Sequence, residues 1–110
     1  HELIGVRDIR DDEFWVRGHV PGRPIFPGVL MIETAAQVAS FYTKRYKGWK
    51  GFMGFGGTDE VRFRAQVTPG HRMFILCKQL WERRRMVCCQ TQGIIDGNLV
   101  FEAKITGVEF

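Results

Sequence analysis

What this sequence lacks narrows its options first. There is no disulfide framework: Cys77, Cys88 and Cys89 are an odd three, two of them adjacent, and read as reduced thiols of a cytosolic protein. No Cys/His cluster has the spacing of a zinc site. No apolar run reaches the about 20 residues of a membrane span. The most apolar window, Pro24 to Thr43, carries Glu33, and its continuous helical part, Val29 to Tyr42, includes Gln37 and Ser40. No basic segment precedes an apolar start, so no signal peptide is expected. There is no Gly-x-Ser-x-Gly elbow and no phosphate loop, and Gly54-Phe55-Gly56-Gly57 lacks the spacing and strand context of a dinucleotide fingerprint. Repeats, low-complexity tracts and linkers are absent too.

What is present fits one globular domain. The 110 residues are 45% hydrophobic and 25% charged, enough for a single modest core and too apolar for disorder. Sixteen basic residues against twelve acidic give +4, which favours acidic partners. Nucleic acid is a poor candidate, because no nucleic-acid motif is found and the basic residues are scattered through strands and turns.

Leu3 to Ile9 is expected as a first strand and Phe14 to Arg17 as a short extended piece. Gly18 to Gly28 holds three prolines and three glycines, a loop of constrained shape. Pro27 and Gly28 suit a helix start, and Val29 to about Tyr46 is the one clear helix, its basic end (Lys44, Arg45, Lys47) matching the helix dipole. Gly51 to Gly57 reads as a loop or irregular strand. Val61, Phe63, Ala65 and Val67 then alternate with polar residues as a half-buried strand. Thr68-Pro69-Gly70 is a turn, Met73 to Trp81 a strand, Arg83-Arg84-Arg85 a bend and Met86 to Ile95 another strand. Asp96-Gly97-Asn98 signals a hairpin into a last strand facing inward with Leu99, Phe101, Ala103 and Ile105. A helix apolar almost all round must be wrapped by the sheet or covered by a second copy. The class is α+β.

Three features could carry chemistry. Glu33, Gln37, Ser40 and Lys44 recur at helical spacing and share one face. Such a stripe is ordinarily a solvated face, but here it is thin, and a lone carboxylate on a mostly buried helix is costly unless paired or protonated. His19 sits in Gly18-His19-Val20-Pro21-Gly22, a stiff loop. Gly28 opens the helix, where an outward N–H with the positive dipole end can hold an oxyanion. A neutral imidazole, a helix-terminal N–H and a carboxylic acid suit proton removal beside a thioester carbonyl.

The ungapped run from Phe14 to Gln37 contains Gly18-His19-Val20-Pro21, Pro24-Ile25-Phe26-Pro27-Gly28-Val29-Leu30 and Glu33-Thr34-Ala35-Ala36-Gln37. It resembles the 3-hydroxyacyl-[acyl-carrier-protein] dehydratases of type II fatty-acid synthesis. Asp59 to Phe63, Val67 to Gly70 and Arg83 to Arg85 extend the likeness over nearly the whole chain, which looks shortened by the family's N-terminal helix and strand. The resemblance implies a hot-dog fold, a helix wrapped by a curved antiparallel sheet. It implies a homodimer with one continuous sheet, often built into a trimer of dimers, in the cytoplasm. His19 of one subunit would take the α-proton, and a buried Glu33 of the other would either protonate the leaving hydroxyl directly or orient a water while His19 returns the proton. Gly28 would bind the thioester oxygen, with Val29 and Gln37 beside it in the substrate site. Glu33 with Val29-Leu30 favours the dehydratase that does not isomerise. No metal and no organic cofactor is expected.

The substrate would arrive on acyl carrier protein, an acidic partner for which Lys44, Arg45, Lys47, Lys50, Arg62, Arg64, Arg83, Arg84 and Arg85 are candidate contacts. Three positions depart from the family: Val20 where Phe is usual, His71 where Asp is common, and the glycine-rich Gly54 to Gly57. Two rivals stay open, a hot-dog acyl thioesterase with Glu33 as base and a non-catalytic acyl-binding subunit; fold alone does not separate them.

Overall fold

A computed structural model of the chain describes residues 2–110. In chain order the elements are β1 (Glu2–Asp8), a 3-10 turn (Phe14–Val16), α1 (Gly28–Tyr46), β2 (Met53–Phe63), β3 (Arg72–Arg83), β4 (Met86–Ile95) and β5 (Asn98–Glu109). The five strands form one sheet in the order β1-β3-β4-β5-β2, every pair antiparallel. β3, β4 and β5 are a meander of hairpins. β1 and β2 form the two edges.

The helix lies on the concave face of this sheet. Met31, Thr34, Ala35, Ala39, Tyr42 and Thr43 are its buried residues, recurring at three and four as one stripe. They meet the inward residues of the meander, among them Met73, Ile75, Val87, Phe101, Ala103 and Ile105. The opposite helix face is bare: Val29 is 73% and Phe41 57% exposed. The sheet thus covers one side of the apolar helix, and the other side is exposed among the described residues. No helix among the described residues is long and apolar enough to cross a membrane.

Three expected elements are corrected. Phe14 to Arg17 is not extended. The Glu13 carbonyl accepts the Val16 N–H at 3.2 Å, and the tight turn buries Trp15 edge-on against Phe26, ring centres 5.4 Å apart. The strand expected over Val61 to Val67 begins earlier, at Met53, and ends at Phe63. The glycines do not break it, because neighbours use the space they leave: the Val108 side chain lies where a Gly56 Cβ would stand. Irregularities at Phe55/Gly57 and Asp59/Arg62, with Glu60 at φ 52°, keep β2 paired to β5 until Arg64 and Ala65 leave the ladder with both N–H groups on the Val100 carbonyl. Val100, expected to face outward, is buried. It is the extra residue of an irregularity opposite Gly93/Ile94, so strict alternation fails there.

That irregularity makes a sharp packing test. A Cβ on Gly93 would stand 2.3 Å from Cε1 of Phe101 and 3.2 Å from the Met73 sulfur, and both side chains are wholly buried. Gly93→Ala is expected to cost about 1–3 kcal/mol through overpacking. Urea unfolding reads this as a lower midpoint at an unchanged slope.

Candidate active site

The histidine loop is shaped by backbone bonds. The Trp15 carbonyl accepts the N–H groups of Gly18 (3.2 Å) and His19 (2.9 Å), and the Val20 carbonyl accepts that of Arg23 (3.0 Å). Val20 lies at φ 55°, left-handed backbone that a β-branched residue adopts only when its surroundings impose it. Phe26, 1% exposed, pins the far end of the loop, its N–H bonded to the Val67 carbonyl at 2.6 Å. The exposed His19 ring places Nδ1 2.7 Å from the Ile25 carbonyl oxygen. A carbonyl can only accept, so Nδ1 carries the proton and donates it. Nε2 is then the ring nitrogen with the free lone pair.

Beneath the loop, Glu13 gathers three donors. Its carboxylate accepts the Arg10 N–H at 2.7 Å and the Trp15 indole N–H at 3.0 Å, and it pairs with the Arg7 guanidinium. Burial pushes the Glu13 carboxyl up, but these hydrogen bonds and the Arg7 charge outweigh it and hold it below the ordinary glutamate value. Arg7 also stacks 4.9 Å over the Phe26 ring. One ionic cluster therefore joins β1, the turn and the base of the histidine loop.

Pro27 caps the helix at φ −62°, ψ 138°, and its carbonyl accepts the N–H groups of Leu30 and Met31. Gly28 is the first helical residue, and its N–H meets no acceptor among the described residues. It carries the positive end of a 19-residue helix. The Phe63 ring covers the position: a Gly28 Cβ would stand 2.8 Å from its Cζ.

One and two turns on, Gln37 Nε2 donates to Glu33 Oε2 at 2.8 Å. Both residues border a cavity of about 220 Å³ between the helix and the β2–β5 side of the sheet. His19 does not line that cavity. Glu33, expected to be buried, is exposed in the single chain, because among the described residues none lies over the outer helix face it shares with Val29 and Gln37.

Among the described residues no three His, Cys, Asp or Glu side chains converge as metal ligands. The three cysteines are free and buried, and burial pushes the Cys88 thiol up, away from the nucleophilic thiolate. His71 bonds within its own turn, its Nδ1 3.0 Å from the Thr68 carbonyl oxygen.

The basic candidates fall into two groups. Arg62 and Arg64 lie near the helix N-terminus, with Arg64 committed to Glu102 (Nε to Oε2 2.8 Å). Lys44, Arg45, Lys47, Lys50 and Arg83 to Arg85 gather at the other end, where Lys47 and the Trp49 indole both reach Glu82 (3.4 and 2.8 Å). Along β5 from Phe101 to Val108 the two groups are about 23 Å apart.

Sequence reading missed three parts of this site. The Ile25 acceptor is a backbone atom and has no letter. The strain at Val20 is a dihedral. Phe63 was visible as an inward residue of an alternating strand, but its place over Gly28 depends on where β2 ends.

A single long helix in the curl of a five-stranded antiparallel sheet, with a loop histidine and a helix-borne carboxylate, defines a hot-dog protein. A FabA-like domain matches residues 1–104. The chain is 34% identical over 107 residues to the 3-hydroxyacyl-[acyl-carrier-protein] dehydratase FabZ of Desulfotalea psychrophila, covering 94% of this chain and 71% of that protein. It is 36% identical over 107 residues to the FabZ of Syntrophotalea carbinolica, covering 96% and 73%. Among solved structures, a thioesterase superfamily member from Thermus thermophilus superposes with a TM-score of 0.80 at 14% identity, covering 100% of this chain and 81% of that one. The dehydratase heterocomplex of Xenorhabdus doucetiae gives 0.79 at 15%, covering 99% and 75%. At those identities the two structures share the fold alone. The chain belongs to the 3-hydroxyacyl-[acyl-carrier-protein] dehydratase family, a family of hydro-lyases.

Proposed function

We propose that this enzyme eliminates water from (3R)-3-hydroxyacyl chains carried on acyl carrier protein, giving trans-2-enoyl thioesters without a metal or organic cofactor, at a site completed by a second copy of the chain. The observation that carries the reading is the Nδ1–H of His19 bonded to the Ile25 carbonyl, which leaves Nε2 as a general base. Nε2 takes the α-proton. The electron pair moves towards the thioester oxygen, where the unclaimed Gly28 N–H and the helix dipole stabilise the charge. The pair returns to form the C2–C3 double bond as the C3–O bond breaks, and Glu33, held by Gln37, supplies the proton that lets the hydroxyl leave as water. The proton on His19 then goes to solvent and Glu33 is reprotonated.

Two features favour the second copy. β2 is a free edge carrying the exposed rings of Phe55 and Phe63, and the bare helix face around Glu33 adjoins it. Two β2 edges pairing antiparallel about a two-fold axis make one continuous sheet and set the two helices antiparallel. The C-terminal end of one helix then lies beside the histidine loop of the other chain. This favours the Lys44 to Lys50 and Arg83 to Arg85 end as the dock for an acidic carrier, since of the seven basic residues there only Lys47 pairs with a carboxylate, Glu82, among the described residues.

Mass spectrometry after incubation with a 3-hydroxyacyl carrier protein tests the reaction. Loss of one water supports it; free acid indicates a thioesterase and unchanged substrate a binding module. Arg84→Glu with Arg85→Glu is expected to raise KM for the carrier-borne substrate about tenfold, and to leave a pantetheine-borne substrate unaffected.

A further inference from the structure

The cavity bordered by Glu33 and Gln37 runs from them along α1 towards the β3–β4 turn. Its helical wall is Ala36, Ala39 and Ser40, side chains too small to fill it. From Glu33 to Ser40 the helix rises about 10 Å. Met53, paired with Glu109 beyond the glycine at 107, lines the far end. The Cε of Met53 lies 2.8 Å from the point that a Cβ at position 107 would occupy, and Cγ1 of Val87 lies 3.6 Å from the same point. Only the glycine at 107 leaves the thioether room to lie across the sheet there, with Val87 behind it. The stop is therefore built from two strands, a methionine on β2 and a glycine opposite it on β5.

We propose that Met53 limits the acyl chain this enzyme accepts. The inference rests on the dehydratase reading, which sets C3 of the substrate at Glu33 and the rest of the chain in the cavity. The helical rise of about 10 Å beside the cavity is the length of about seven extended carbons beyond C3. The substrate class is a medium-length aliphatic 3-hydroxyacyl chain of about ten carbons. An unbranched thioether makes a definite end to the channel without a rigid wall.

The test is the kcat/KM profile of the full chain on 3-hydroxyacyl carrier proteins from C4 to C16, beside Met53→Ala and Met53→Leu. The parent is expected to peak near C10. Met53→Ala, which removes Cγ, Sδ and Cε from the floor, shifts the optimum about two carbons longer. It raises kcat/KM on that longer chain about fifteenfold, at about fourfold for each of the two buried methylenes. Met53→Leu, of similar volume, leaves the profile in place. A Met53→Ala profile that coincides with the parent's, in a variant with the parent's melting curve, overturns the proposal. So does a parent that turns over C16 as well as C10. If no chain length is dehydrated, the catalytic reading fails, and the channel is then read by displacement of a fluorescent fatty acid with saturated carboxylic acids of C6 to C16. The same two-carbon shift in Met53→Ala upholds the stop, and its absence removes it.

Discussion

His19→Ala and Glu33→Gln each lower kcat for dehydration by about 10²- to 10⁴-fold, the range lost with a positioned acid or base. Both side chains are exposed in the single chain and neither bonds to the core, so the melting curve and the oligomeric state stay those of the parent. The stronger form of the test mixes the two inactive variants. If His19 and Glu33 of one site come from different chains, a mixed dimer holds one intact site and one doubly broken one. Random exchange then restores about a quarter of the parent activity. If one chain supplied both groups, no mixture would contain a whole site and recovery would be nil. Steady-state rates before and after subunit exchange decide between them.

Gly28 gives the second large effect, because two substitutions there separate space from hydrogen bonding. Gly28→Ala keeps the N–H and adds a methyl at 2.8 Å from Cζ of Phe63. The half-exposed ring can swing aside, so a loss of no more than about tenfold is expected, with Phe63→Leu in the same chain restoring it. Gly28→Pro adds similar bulk and deletes the N–H. The helix tolerates proline at its first position, and Pro27 already has the extended backbone that a following proline requires. Gly28→Pro is therefore expected to lower kcat a further 10²- to 10³-fold, the loss typical of one oxyanion donor. Equal activity in Gly28→Ala and Gly28→Pro would remove this N–H from the mechanism.

Most of the architecture was legible because its signals are local. Pro27-Gly28 marks a helix start within a residue, Asp96-Gly97 a hairpin, and Met86 to Ile95 is a strand at the bounds the pattern gave. The errors fall where tertiary contacts override pattern. Gly54, Gly56 and Gly57 argue against a strand only if their missing side chains leave holes, and at Gly54 and Gly56 the side chains of Phe110 and Val108 occupy that space. Ala65 and Val67 look like the continuation of a strand, yet Ala65 is exposed and Val67 is buried by accepting the Phe26 N–H outside any ladder. Phe14-Trp15-Val16 has strand-like residues, but burying Trp15 against Phe26 needs a turn. The candidate site was legible only as residue types, His19, Gly28, Glu33 and Gln37. Its arrangement was not: Glu33, expected to be buried on an apolar helix, is exposed among the described residues.

The partner that orients His19 is a main-chain oxygen, and this decides where the enzyme is vulnerable. A carboxylate in that role could be lost in one base change, and it would also stabilise the imidazolium by its charge. The Ile25 carbonyl persists whatever side chain stands at 25, and being neutral it fixes the tautomer with no such charge. Genetic drift therefore cannot delete the orienting group; it can only bend the path that presents it. The positions that fix this path are Pro21, Gly22 at φ 80° and Pro24, none of which touches substrate in the proposed reaction. Inactivating changes in this loop should accordingly concentrate at residues with no chemistry of their own.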